Sequence, residues 1–383
     1  MKKCMPNLII GSRNQFFASP ELDFASYLSS PPYMPMKIAL IAPPFLPVPP
    51  RKYGGTELFI AELGRGLQQQ GVEVTVYTIG ESTVEVPKRW LYPSSQWPMC
   101  GEVECALKSL NHSSWAIADA VGTADIIHVN SAPALSFARF IDIPMVHTVH
   151  HIYDPGLTKF YESVPEASYV TISNVQRNKL SMPRMRTIHH GINASLYTVQ
   201  KHKKPYLSFL GRIAPPKGTH LAIEVAHKSG IPLKIAGEIQ PVYQSYWETM
   251  VKPHVDGKFI EYVGEVDLQE KVELLGNSLA MLFPIQWDEP FGLVMIEAMA
   301  CGTPVLALPG GSVSEVVKEG LSGNVGANTD DLARYAMNLH FNPDSIRAYM
   351  EEFFSLERMT QDYVNLYTEI LQDGVTEVEQ IVA

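Results

Sequence analysis

The sequence is poor in cysteine: four in 383 residues, at Cys4, Cys100, Cys105 and Cys301. Their spacing fits neither a zinc set nor a dense disulfide framework, so scaffolds stapled by metal or by disulfides are excluded. A reducing compartment, the cytoplasm, is the expected setting. Long apolar runs are also missing, so no segment is expected to span a bilayer. The first residues lack the basic start and apolar stretch of a signal peptide. Positive charge is scarce: Lys and Arg total 30 against 40 Asp and Glu, a formal net charge of −10. That balance argues against nucleic acid as the main partner.

What is there is an alternation of strand and helix signals, the mark of a parallel α/β sheet. Residues 1–35 stand apart: they are rich in Ser, Pro and aromatic residues without a period. They read as a disordered extension, or as residues translated from an early start codon. Strands are expected at 37–42, 72–78, 125–130, 145–150, 169–173 and 187–191. A polar, basic stretch from Tyr197 to Pro205 reads as a linker. Beyond it the alternation restarts at 206–212 and continues with strands at 233–236, 259–263, 279–283 and 304–308. A chain of this length exceeds one core, so two domains are expected, 36–200 and 203–355. Tyr243, Tyr246, Trp247 and Met250 read as the core face of one helix. Leu356, Met359, Tyr363, Leu366, Tyr367 and Ile370 form an apolar stripe on another, with 373–383 as a frayed tail. Loops 43–52 and 81–115 are rich in Pro and aromatic residues and carry no motif.

Pro284 to Gly302 concentrates the chemistry. A buried strand gives way to a polar break at Glu289 and Pro290. A helical pattern then starts at Gly292, with Leu293, Ile296 and Ala300 on one face and Gly302 as its C′ stop. Glu289 sits in the loop and Glu297 about a turn and a half into the helix. Unpaired N–H groups at a helix start suit phosphate or sugar hydroxyls, and Gly292 lets a ligand approach the backbone. Two carboxylates with seven residues between them also occur on many solvated helices. Arg212 and Lys217 flank a Pro-Pro turn; they converge on a diphosphate or are two solvated cations. Gly54 and Gly55 open a helix after the first strand, at the edge where α/β sheets bind ligands, or make a simple tight turn. This turn is not a Gly-x-Gly-x-x-Gly dinucleotide fingerprint. His147, His150 and His151 suggest a metal, but alternation along a strand turns His147 and His150 to opposite faces. Nothing nearby completes a ligand set, so no metal site is expected.

The strings Glu289-Pro-Phe-Gly-Leu293, Glu297-Ala-Met-Ala-Cys-Gly-Thr-Pro-Val305 and Pro309-Gly-Gly-Ser312 resemble the donor site of family 4 glycosyltransferases, retaining enzymes with the GT-B fold. The resemblance runs from Met36 to about Leu371. It implies two Rossmann-like parallel-sheet domains facing each other across a cleft, with the helix at 356–371 crossing back to the first. It implies that Glu297 holds the ribose hydroxyls of a nucleotide sugar and that Glu289 lies beside the transferred sugar. The amides of Phe291, Gly292 and Leu293 approach the sugar and phosphates, and Gly54 and Gly55 lie near the phosphates. Arg212 and Lys217 clamp the diphosphate. His150, or His151 one register away, lies near the donor sugar, and the turns at 236–238 and 262–264 hold the base.

The implied reaction is glycosyl transfer with retention at the anomeric carbon, needing neither metal nor cofactor. No carboxylate of the first domain stands out as a nucleophile, so front-face transfer is expected over double displacement. Another GT-B activity, such as a nucleotide-sugar epimerase or sugar-phosphate synthase, and a non-catalytic nucleotide-sugar-binding protein are the rival readings. Donor base and sugar are not legible. The acceptor, whether glycan, lipid or small molecule, is not legible either, and peripheral contact with a membrane stays open.

Overall fold

The first strand sets the architecture. β1 (Lys37–Ile41) is buried from Ile38 onward on both faces, and a strand without a solvent face needs helices on each side. The computed structural model describes residues 35–52, 54–97 and 101–382. The expected extension, through residue 34, lies outside the described residues.

Two sheets follow, parallel throughout. The first takes β1 with β2 (Glu73–Thr78), β3 (Lys88–Trp90), β4 (Ile126–Val129), β5 (Met145–Val149), β6 (Ser168–Thr171) and β7 (Met185–Thr187), in the order β3-β2-β1-β4-β5-β6-β7. The second takes β8 (Leu207–Leu210), β9 (Leu233–Ala236), β10 (Ile260–Gly264), β11 (Ala280–Phe283), β12 (Val305–Ala307) and β13 (Gly323–Val325), in the order β10-β9-β8-β11-β12-β13. Both carry the doubly wound order, which reverses between the first and fourth strands of each sheet. Loops at that reversal splay apart and leave a crevice at the carboxyl edge.

Six helices position the crevice: α1 (Gly55–Gln69), α2 (Glu102–Ala120), α3 (Thr219–Ser229), α4 (Leu268–Asn277), α5 (Leu293–Ala300) and α6 (Leu356–Val382). α1 buries Phe59, Ile60, Leu63 and Leu67 in one core with Ile38 and Leu40 of β1. That core also takes Leu356, Met359, Tyr363 and Tyr367 of α6, so the last helix of the chain packs on the first sheet. Each such side chain contributes roughly 1.5–3 kcal/mol by leaving water.

Four expectations are corrected. The strand expected at 187–191 ends at Thr187. The next residues turn toward the start of α6, where the Ile192 N–H donates to Phe354 O at 3.1 Å and Leu356 N–H to Ile192 O at 3.0 Å. The 81–115 stretch contains β3 and most of α2. The buried side of α2 is Ser109, His112, Ser113, Ala116, Ile117 and Ala120, too polar and small to read as a core stripe. The segment with Tyr243 and Met250 is a succession of short turns, with a π-helical turn over Trp247–Val251. The wider turn brings Trp247 and Val251 inward and leaves Met250 46% exposed. Residues 373–382 continue α6 as helix.

Candidate functional site

All ten residues singled out in the sequence line one cavity of about 640 Å³: Gly54, Gly55, His150, Arg212, Lys217, Glu289, Phe291, Gly292, Leu293 and Glu297. His151 lines it too. The walls come from the carboxyl edges of both sheets. They approach closely: a Cβ on Gly55, at the start of α1, would lie 3.6 Å from Leu293 Cδ1 at the start of α5.

The loop from Asp288 to Gly292 is fixed from below by Ser312. Its N–H donates to Glu289 O at 2.9 Å and its hydroxyl to Phe291 O at 2.7 Å. Gly311, at φ +54, allows this approach, since a Cβ there would lie 2.1 Å from Glu289 O. Gly292 caps α5 at φ +81. A side chain there would strain the backbone and meet Met295 Cε at 2.7 Å.

The two glutamates are built alike. Glu289 is 8% exposed. Its Oε2 accepts from Lys217 Nζ at 2.5 Å and from Trp287 Nε1 at 2.7 Å. Glu297 is 3% exposed. Its Oε1 accepts from Lys271 Nζ at 2.6 Å and from the Tyr197 hydroxyl at 3.0 Å. Each carboxylate gathers two donors on one oxygen and leaves the other without a partner among the described residues. The Lys217 ammonium also lies 4.6 Å from the Trp287 ring centroid, with the Arg212 guanidinium 5.9 Å from it on the same indole.

Trp287, Lys271 and Tyr197 were not singled out in the sequence. One signal existed: α5 is apolar along its length apart from Glu297, and a buried charge demands a cation. Nothing in the sequence said that the cation would come from α4, 26 residues upstream.

The wall from the first sheet carries neutral imidazoles. His150 Nε2 lies 2.8 Å from Asn130 Oδ1. The Asn130 amide nitrogen donates to Ile41 O at 3.2 Å, so Oδ1 accepts and His150 Nε2 donates. Burial, with His190 beside it, holds His150 well below the usual imidazole value. A neutral ring protonated at Nε2 offers a lone pair at Nδ1. His190 stacks on His150 at a centroid distance of 5.7 Å and meets Phe291 edge-on at 5.0 Å. Burial lowers His190 to about 3. His151 spends both nitrogens within its own domain, on Ile152 O and the Tyr161 hydroxyl, each at 2.6 Å. Of the two registers, His150 is the one with a nitrogen to spare.

Two carboxylates of the first domain line the cavity. Glu85 pairs with Arg65 at 2.8 Å, and Glu62 of α1 is buried. Its Oε2 accepts from Asn193 N at 3.1 Å, and burial raises its pKa. Sequence concealed it because it lies on a helix face dominated by Phe59, Leu63 and Leu67. Contacts between the walls include Lys52 with Glu265 at 3.7 Å and Lys179 with Asp288. Glu315 accepts from the N–H groups of Asn174 and Val175 at 2.8 and 2.7 Å and from His189 at 2.9 Å. Among the described residues no cluster of His, Cys, Asp and Glu could hold a metal ion, and no helix is long and apolar enough to cross a membrane.

Two doubly wound parallel sheets facing each other across a cleft make the GT-B fold, which solved glycosyltransferase structures share. Family models agree: "Glycosyltransferase Family 4" matches residues 53–196 and "Glycosyl transferases group 1" matches 198–352. The chain belongs to glycosyltransferase family 4. Among relatives, a Mycobacterium tuberculosis glycogen synthase is 25% identical over 277 residues, 62% of this chain and 65% of that protein. The match thus spans less than two thirds of that relative. The O-antigen chain mannosyltransferase C of Escherichia coli is 22% identical over 367 residues, 84% of this chain and 96% of that one. Among solved structures, AviGT4, a glycosyltransferase involved in avilamycin A biosynthesis, superposes with a TM-score of 0.69 at 23% identity, covering 88% of this chain and 98% of its own. Anabaena HepE in complex with UDP-glucose gives 0.67 at 17% identity, covering 87% and 100%.

Proposed function

We propose that the protein transfers a glycosyl group from a nucleotide-sugar donor to an acceptor, with retention at the anomeric carbon and without a metal ion. The observation that carries this reading is the matched pair of glutamates, each leaving one oxygen open in the same cavity. Glu297, tied to Lys271 and Tyr197, offers its open oxygen to the ribose hydroxyls. Glu289 offers its own to the sugar that moves. Lys217 and Arg212 take the diphosphate, whose negative charge grows as the glycosidic bond breaks. The amides at Phe291, Gly292 and Leu293 add the positive end of α5. His150 Nδ1 accepts a hydrogen bond from a sugar hydroxyl.

In front-face transfer the acceptor oxygen bonds to the anomeric carbon on the side from which the diphosphate departs. The acceptor proton passes to a diphosphate oxygen, so no enzyme base is consumed. Glu62 supports a second reading, in which a carboxylate of the first wall forms a glycosyl-enzyme intermediate. Against it stand its burial, which disfavours the anion, and its bond to Asn193 N.

The test is a thermal-shift screen of UDP- and GDP-sugars, since a ligand raises stability by mass action. The stabilising donor is then incubated with candidate acceptors, and the anomeric configuration of the product is read by NMR. No stabilising nucleotide sugar, or an inverted product, overturns the reading.

A further inference from the structure

The lysine read as a diphosphate ligand is already engaged by a carboxylate. Lys217 Nζ lies 2.5 Å from Glu289 Oε2, with the two side chains 15% and 9% exposed. Trp287 touches both partners: its Nε1–H donates to that same oxygen at 2.7 Å, and its ring lies 4.6 Å from the ammonium. The donor-binding reading, on which this inference rests, gives the two charges separate tasks. Lys217 is to neutralise phosphate, and Glu289 is to face a sugar carbon gaining positive character. While they are paired at contact distance, each cancels much of the other's field.

We infer that the donor binds by charge exchange: its diphosphate takes Lys217 from Glu289, and Trp287 holds the released carboxylate in place. The exchange is isoelectric for the lysine, which has an anion beside it before and after. It is not so for Glu289, which keeps only the indole N–H and turns its uncompensated charge toward the sugar. Diphosphate binding thereby switches on the carboxylate that acts on the sugar. Without a diphosphate the Lys217–Glu289 pair stays neutral and closed on itself. Trp287 is the positioning residue of this device. Its ring gives the ammonium a face to slide along, and its N–H fixes the carboxylate that the ammonium leaves.

The exchange makes an unusual demand: removing the Glu289 charge must tighten binding of the free leaving group. The experiment is calorimetric titration of UDP, GDP and the corresponding nucleosides into the full chain and its variants. Glu289→Gln should bind the favoured nucleoside diphosphate about tenfold more tightly, because the lysine is no longer neutralised. Nucleoside affinity should not change. Lys217→Met should weaken diphosphate binding and erase the gain from Glu289→Gln in the double variant. An unchanged or weaker affinity in Glu289→Gln, or a gain that persists without Lys217, overturns the exchange. Should Glu289→Gln fail to fold, Glu289→Asp withdraws the carboxylate by one methylene and must shift affinity in the same direction. Trp287→Phe keeps the ring and loses the N–H, so it should lower kcat at least tenfold with the KM for donor unchanged. An unaltered kcat removes Trp287 from the device. If neither diphosphate binds the wild type, the donor reading itself falls, an outcome distinct from a wild type that binds and a Glu289→Gln that gains nothing.

Discussion

The two walls of the cleft solve the problem of burying polar groups in opposite ways. The second sheet presents opposite charges in contact, Glu289 with Lys217 and Glu297 with Lys271. The first sheet presents imidazoles that burial keeps uncharged, His150 and His190 foremost. Behind them the Tyr367 hydroxyl pairs with His128 Nδ1 at 2.7 Å, and His128 Nε2 with the Thr148 hydroxyl at 2.8 Å. A charged wall suits a ligand that brings its own charge and can exchange partners. A neutral, hydrogen-bonding wall suits hydroxyls. On the proposed reading, the charged wall takes most of the phosphate charge and the neutral imidazoles face the sugar hydroxyls.

The strongest blow to this contrast is Glu289→Gln, which should lower kcat by roughly 10²-fold, the size expected for one preorganised electrostatic contact. Steady-state kinetics check it, and a near-normal kcat would reduce the charged wall to a scaffold. Next in size is Glu297→Gln. Its proposed ribose contact is similar in ground and transition states, so donor KM should rise about tenfold while kcat moves less. A loss confined to kcat would reverse the two glutamates' roles.

The neutral wall should show itself in acid. His128 and His190 are lowered to about 3 and His147 to about 4 from the ordinary 6.5, in each case chiefly by burial. The unfolded chain therefore binds more protons between those values. The contribution of these histidines is complete above 6.5 and is lost as pH falls from there toward 3, on the order of 1 kcal/mol per pH unit for each, while Glu57 and Glu62 of α1, raised by burial, act in the opposite sense. Hydrogen exchange followed from pH 7 to 5 should find the first sheet loosening before the second, and equal loosening would deny the asymmetry. Glu62→Gln tests whether that wall does covalent chemistry. Front-face transfer predicts less than about a threefold change in kcat, whereas loss of a nucleophile costs far more. The smallest effect is none at all: EDTA should leave turnover unchanged, and a rate restored only by Mn²⁺ or Mg²⁺ would put a metal where the lysine pairs are proposed to suffice.

The same contrast governs what could be read from sequence. The charged wall lies on short strand–turn–helix units whose residues are close in the chain, so Glu289, Gly292 and Glu297 announced themselves together. The neutral wall is gathered from separate places: Asn130 after β4, His150 after β5, His190 after β7 and Glu62 inside α1. Each is an ordinary residue until the sheet aligns the strand ends. The parallel sheets were legible because buried parallel strands are continuous apolar runs, as in β1 and β11. β3, a three-residue strand with Arg89 and Trp90 exposed, and the polar-faced α2 gave no such run. Lys271 was hidden for a related reason: in α4 it looks like one more surface cation, and only the packing of α4 beside α5 gives it a buried acid to meet.

The return of α6 to the first sheet bears on how the chain is made. β1 to β7 are all translated by residue 187, yet the tyrosines that cover their outer face and bond His128 and Thr148 belong to residues 363 and 367. At about 5–20 residues per second a ribosome needs on the order of 10–30 seconds to cross that interval. Throughout it, the earlier half of the nascent polypeptide holds open an apolar surface, with the polar side chains of His128 and Thr148, that those tyrosines later cover. The second sheet, complete before α6 begins, can close first. A truncation inside α6 should therefore show its damage at the opposite end of the chain, as aggregation of the part made first.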